Sequence, residues 1–188
     1  LYKDGLQRDQ FIPFIEILDY YSHERELLIK DDYRSNENNN LERFLAPIDE
    51  STNFKLNKFF RKVTKNKNKT IKLLEVKGRK FEINNFYDGV AKFNFNELCD
   101  KNLGSEDYIS IANICDFIFI ENLPNFNEYN FNQQHRFITL VDIIYEKKIP
   151  LMITSQVDLE SINSSKSINK PFKRTISRLY ELTSIKFH

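Results

Sequence analysis

The sequence predicts an α/β fold: a parallel or mixed sheet with covering helices, plus a β-hairpin. Three observations carry this. DFIFI (Asp116–Ile120) and IPLMIT (149–154) are strand-length runs of continuous rather than alternating hydrophobicity, as strands buried on both faces require. Between them, Phe137, Leu140, Val141 and Ile144 form one stripe of an amphipathic helix, so strand, helix and strand follow one another as in a parallel βαβ unit. Finally, IKLLEVKGRKFEI (Ile71–Ile83) sets two β-prone runs around Lys77-Gly78, which is a hairpin signal.

The remaining elements follow in chain order. Gln7–Tyr21 reads as a helix, because Phe11, Phe14, Ile15 and Leu18 recur at i, i+3, i+4 and i+7. Asp4 stands at its N-cap with Gln7 three residues on, and Pro13 kinks or restarts it. RELLIK (Arg25–Lys30) reads as a short strand, followed by DDYR, and SNENNN (Ser35–Asn40) as a solvated turn. Phe54–Lys65 reads as a helix that ends in the polar tract KNKNKT, a basic run that either contacts phosphate or, as the favoured reading, is a solvated loop. VAKFNF (Val90–Phe95) alternates with period two and predicts a half-buried strand. Ser105, followed by Glu106 and Asp107, opens a helix that runs to about Ile114. NKPFKRTISRLYEL predicts a closing helix with Arg174 and Arg178 four residues apart.

Composition excludes several function classes. The 188 residues carry 28 Lys+Arg against 27 Asp+Glu, a net charge of +1, which gives no bulk electrostatic reason to expect nucleic acid or a membrane surface as partner. No apolar run approaches the ~20 residues that span a bilayer. Cys99 and Cys115 make neither a disulfide framework nor a CxxC pair, so a reducing compartment is expected. His23, His135 and His188 are scattered, without HExxH or Cys/His spacing, and no metal site is expected from them. The four glycines stand in neither GxxxxGK[ST] nor GxGxxG, so the chain carries no phosphate-cradling loop of its own.

Several residues remain as candidates for chemistry. FIFIENLP ends an apolar strand on a carboxylate, Glu121, in the manner of a Walker-B strand whose acid holds Mg²⁺ or orients a water. The plainer alternative is a buried strand whose first loop residue is polar. Arg8 sits in the first turn of a helix, where a cation opposes the macrodipole at a cost of about 0.3–1 kcal/mol. It is either a surface arginine, offset by Asp9, or an arginine finger reaching a neighbouring subunit's γ-phosphate. Arg178, with Arg174, is a candidate contact for a bound nucleotide. Its structural alternative is pairing with Glu181 or capping the end of the sheet. Arg136 is a further cation whose contact with ligand the residues leave open.

Eight blocks then appear together and in order: LYKDGLQRDQFIPFI, DYR, KGRKF, VAKFNFNELC, LGSEDYISIA, FIFIENLP, HRFITLVDIIYEKKIPLMIT and FKRTISRLYEL. From Leu1 to about Thr183 the chain resembles the C-terminal half of the ZapE cell-division ATPases and their eukaryotic relatives, the mitochondrial AFG-type ATPases. The resemblance implies a fragment of an AAA+-like P-loop ATPase that couples ATP hydrolysis to protein remodelling, in bacterial cell division or in protein quality control. It implies that ATP and Mg²⁺ are bound mainly by residues upstream of Leu1, which agrees with the absence of an initiator methionine, and that the isolated chain is inactive. It divides the chain into 1–34 (the end of the ATPase core), 35–70 (loop and connecting helix) and 71–188 (a C-terminal α/β portion). It places Arg8 where such ATPases carry a finger, after the sensor-1 strand, and so implies a homo-oligomer. The implied partners are a client or division protein, with peripheral association at the inner membrane and no nucleic acid. The implied location is the bacterial cytoplasm, or alternatively the mitochondrion. One departure stands out: the family's paired acids after the FIFI strand are here Glu121-Asn122. The reading from another class is a non-catalytic α/β interaction module.

Overall fold

The computed structural model describes Pro13 and residues 43–184, the latter within a compact unit that runs from Tyr33 to His188. The expected helix of Gln7–Tyr21 (Pro13 apart, which is helical and exposed), the strand at Arg25–Lys30, the turn at Ser35–Asn40 and Arg8 lie outside the described residues.

Among the described residues a six-stranded sheet organises the unit. In chain order its strands are β1 (Phe44–Leu45), β2 (Lys69–Val76), β3 (Arg79–Tyr87), β4 (Val90–Asn94), β5 (Phe117–Leu123) and β6 (Leu151–Ser155). Their order across the sheet is β1-β6-β5-β4-β3-β2. β1, β6, β5 and β4 are mutually parallel, and β3 and β2 add an antiparallel hairpin at one side. The sheet is therefore mixed, with the hairpin where the sequence predicts it.

Side-chain alternation explains why β5 is apolar throughout. Phe117 and Phe119 face one cluster with Val90 and Met152, while Ile118 and Ile120 face the larger core with Ala91, Phe93 and Ile153. The first face is covered by helix α1 (Glu50–Thr64) through Leu56 and Phe60. Phe60 meets Phe119 and Tyr87 edge-on, with ring centroids 5.1 and 5.3 Å apart. The opposite face is covered by α2 (Phe95–Cys99), α3 (Ser105–Ile114), α4 (Phe131–Glu146) and α5 (Asn169–Ser184). Phe137, Leu140, Val141 and Ile144 are all buried there, as their spacing predicts.

Differences from the sequence reading have local causes. α1 starts at Glu50 rather than Phe54, because Asp49 caps it: its carboxylate accepts the Thr52 N–H at 2.7 Å while the Thr52 hydroxyl accepts the Asp49 N–H at 2.9 Å. The KNKNKT tract is only briefly a loop. Lys67 Nζ donates to the Asp88 carbonyl at 2.6 Å, and Lys69-Thr70 already belong to β2. β4 is more deeply buried than its alternation implied, because it lies between β5 and β3 inside the sheet. Both hairpin connections are two-residue turns with left-handed residues throughout, Lys77-Gly78 (φ 50° and 76°) and Asp88-Gly89 (φ 37° and 86°), the pair of positive φ values that a type I′ turn needs.

Candidate functional site

In open α/β sheets ligands bind beyond the carboxyl ends of the parallel strands. Here that end is formed by Asn94 of β4, Glu121 and Asn122 of β5, and Thr154 and Ser155 of β6. β5 does not stop before Glu121 but continues to Leu123, with a register shift between Ile120 and Leu123 and Asn122 in the left-handed region at φ 64°. This bulge is stabilised by the Asn122 N–H, which donates to Thr154 Oγ1 at 3.0 Å. Glu121 is thus an in-strand residue that pairs with Asn94, rather than the first residue of a loop.

Its parity places Glu121 on the α1 face, as for Phe117 and Phe119. Lys92 of β4 lies beside it, with Nζ 3.3 Å from Glu121 Oε1, 3.5 Å from Asn57 Oδ1 of α1 and 4.9 Å from the centre of the Phe60 ring. The pair is partly buried, its side chains 17% and 26% exposed. Glu121 therefore faces a lysine and an asparagine. No cluster of three or more acidic, histidine or cysteine side chains that could hold a metal ion occurs among the described residues.

The other candidates fall elsewhere. Arg178 lies in the α4–α5 seam: its guanidinium bonds the Asp142 carboxylate and stacks over the Tyr145 ring at 4.7 Å. Arg174 bonds the same carboxylate at 2.8 Å, and the Tyr145 hydroxyl donates to Glu181 at 2.6 Å. Both arginines, offered from the sequence as nucleotide contacts or as partners of Glu181 or caps of the sheet, thus share one acid on the neighbouring helix. Sequence reasoning missed Asp142, although it stands one position from Val141 of the predicted stripe, on the flank where a facing helix would meet it. Arg136 of α4 serves α2, donating to the Cys99 carbonyl at 3.1 Å. Glu121, Arg178 and Arg136 are held on separate elements with separate partners.

The loop after β5 accounts for its own asparagines. Asn127 Oδ1 accepts the Tyr129 N–H, Asn130 Oδ1 accepts the Asn127 N–H, and Asn125 Oδ1 accepts the Asn163 N–H, each at 2.8 Å. The thiols are chemically quiet. Burial pushes Cys115 up to about 12 and Cys99 higher still, so neither is set up as a nucleophile.

A mainly parallel sheet covered by helices on both faces, with polar side chains at its carboxyl end, defines a doubly covered α/β protein, the class to which the P-loop ATPases belong. The model of the AFG1-like ATPases matches residues 1–188, and the chain belongs to that family. It is 30% identical over 166 residues to lactation elevated protein 1 homolog B of Danio rerio, a match covering 86% of this chain and 33% of that protein. It is 25% identical over 184 residues to the cell division protein ZapE of Escherichia coli K12, covering 98% of this chain and 49% of that protein. An uncharacterized protein of Schizosaccharomyces pombe is 29% identical over 164 residues, covering 86% and 36% respectively. The chain thus spans about a third to a half of the length of these relatives. No solved structure matches it significantly. The family read from the eight sequence blocks is borne out.

Proposed function

We propose that this chain is part of an ATPase that couples ATP hydrolysis to the remodelling of a protein client, in bacterial cell division or in protein quality control. The observation that carries the reading is the family match along all 188 residues, on a sheet of the corresponding class. In this reading ATP and Mg²⁺ are held mainly by residues that precede Leu1 in the complete protein. Arg8 is the residue of this chain that reaches a neighbouring subunit's γ-phosphate, in a homo-oligomer. Glu121, facing Lys92, acts in the sheet rather than on the metal. Arg178, engaged by Asp142, positions α5. The protein works in the bacterial cytoplasm with peripheral contact at the inner membrane, the mitochondrion being the alternative setting. No helix among the described residues is long and apolar enough to cross a membrane.

Phosphate release measured with Mg–ATP tests this. Residues 1–188 alone are expected to show no turnover, the complete protein measurable turnover, and the complete protein with Arg8→Ala loss of turnover with ATP binding retained. Mg-dependent turnover by 1–188 alone, or normal turnover by the Arg8→Ala protein, refutes the corresponding assignment. A second reading, a non-catalytic interaction module, is favoured by one observation: the surface around α1 and β2 carries both charge and exposed apolar side chains.

A further inference from the structure

The near-neutral net charge conceals a strong local imbalance. Between Glu50 and Glu75 the chain carries eight cations and no acid. This stretch forms α1, the following loop and most of β2. On α1, Phe54 is 69% exposed, and Lys58, Arg61 and Lys65 follow it at i+4, i+7 and i+11, all exposed, so one outward ridge starts apolar and continues cationic. Leu56 and Phe60 hold the opposite side of the helix to the sheet.

Among the described residues β2 is the outermost strand on the hairpin side. Its eight residues are mostly exposed, and Ile71 and Leu73 are 68% and 52% exposed. Lys69, Ile71 and Leu73 share one face of the strand by alternation. Lys69 Nζ lies 6.0 Å from the centre of the Tyr87 ring, which packs in the α1-side cluster, so this is the face that α1 also covers. Val76 and Arg79 close the two-residue turn and are directly paired, which leaves the backbone N–H and C=O of Glu75 and Leu73 directed away from β3.

Three features therefore meet at this edge: among the described residues, a row of backbone donors and acceptors with no strand beside it; two exposed aliphatic side chains on one face, which Glu75 and Glu82 share; and Lys72 on the other face, within a stretch rich in cations. Lysines on an edge strand commonly serve to repel stray pairing. A purely protective edge, however, has no use for two neighbouring aliphatics on one face. A nucleic acid would use the cations and leave both the aliphatics and the strand edge idle. A membrane would use the cations and apolar groups and leave the backbone row unpaired. An extended polypeptide uses all three. We propose that the edge of β2, open among the described residues, is a docking site for an extended peptide segment in which acidic and aliphatic residues alternate, added as a further strand, with its aliphatics beside Ile71 and Leu73 and its carboxylates on the opposite face, beside Lys72. This extends the client part of the reading above. Its assay contains no nucleotide, so its failure leaves the ATPase reading standing, and a failure of the ATPase assay leaves the docking site standing.

The test is fluorescence anisotropy of the 188-residue chain with a labelled peptide of about ten residues alternating Glu with Val. The peptide is expected to bind, and its Lys-for-Glu counterpart to bind at least about tenfold more weakly. N-methylation of alternate backbone nitrogens is expected to weaken binding about tenfold or more, because strand addition needs those donors. Ile71→Glu with Leu73→Glu, and separately Lys69→Glu with Lys72→Glu, should each cost at least about tenfold. All four positions are exposed, and an unchanged far-UV circular dichroism spectrum shows that the fold is kept. Equal binding of the N-methylated peptide overturns strand addition. So does failure of the peptide to bind, whether or not a single-stranded oligonucleotide or phosphatidylglycerol vesicles bind in its place.

Discussion

Gly78→Ala and Gly89→Ala form a matched pair of perturbations. Both glycines occupy the second central position of a two-residue turn, at φ 76° and 86°, so an alanine at either meets the same left-handed backbone penalty. That penalty is about 1–2 kcal/mol, reduced by a few tenths through the stiffer unfolded chain. Their surroundings differ. A Cβ at Gly78 meets nothing within 4 Å, whereas a Cβ at Gly89 lies 2.1 Å from Asp116 Oδ2 and 2.9 Å from its Cγ. The Gly89 carbonyl also accepts the Asp116 and Phe117 N–H groups at 2.6 and 3.2 Å, so the two segments cannot part without loosening those bonds. Asp116 must instead leave its rotamer, at about 0.5–1.5 kcal/mol, with some strain in bonds worth about 1 kcal/mol each. Gly78→Ala is therefore expected to cost about 1 kcal/mol and Gly89→Ala about 2–3 kcal/mol. With a urea slope of about 2 kcal/mol/M, the midpoints fall by about 0.5 M and about 1–1.5 M. Adding Asp116→Ala to Gly89→Ala should return about 1 kcal/mol, since the obstacle is gone. Equal losses at the two glycines, or no recovery in the double variant, would falsify the assignment of the difference to Asp116.

Asp142→Ala should destabilise by about 1–3 kcal/mol, because it strips the mostly buried Arg178 of its carboxylate, while Arg174→Ala, at an exposed partner, should change stability by less than about 0.5 kcal/mol; thermal melts of both variants check the contrast. Both cysteines are buried, so Ellman's reagent at pH 8 should find neither in the native unit and both after unfolding in guanidinium. Their raised thiol values also fix a sign: the unfolded thiols release protons from about pH 8.5 while the native ones hold theirs, so this contribution is complete below pH 8.5 and is lost as pH climbs toward 12, which pH-dependent urea melts will register. Asp49 works in the opposite sense: the Thr52 N–H holds its carboxyl below the ordinary value, so its contribution is present above about pH 4 and lost as pH falls further, and Asp49→Ala should lower the melting temperature at pH 7 more than at pH 3.

The sheet was legible because its strands are buried on both faces. Phe117–Ile120 must be apolar at every position to satisfy α1 on one side and α4 on the other, and a run that short and that uniform suits a central parallel strand. The hairpin was legible from Lys77-Gly78 alone, since left-handed turn geometry selects for glycine. The start of α1 was not, because its first turn, Glu50–Asn53, lacks hydrophobic periodicity and is fixed instead by the reciprocal bonds of Asp49 and Thr52. The fates of Glu121 and Arg178 were hidden for another reason. Each is decided by one residue distant in sequence, Lys92 and Asp142, and no local pattern announces a pairing made through tertiary structure. Of the cationic stretch only the KNKNKT run stood out in the sequence, because total charge averages the rest against acids elsewhere in the chain.

The hydrogen bond from Arg43 Nε to the Thr183 carbonyl, at 2.9 Å, joins the first described residue of the unit to the last turn of α5, 140 residues away. Bond for bond it is among the least favourable contacts to form early in folding, because it closes a loop of 140 residues for the gain of one hydrogen bond. It belongs among the late events, after β4, β5 and β6 have assembled through their nearer crossovers. The part of an Arg43 variant's effect that comes from this bond should accordingly appear in faster unfolding rather than slower folding. The contact acts as a latch: it does not guide the chain to its fold, but sets how long the finished unit stays shut.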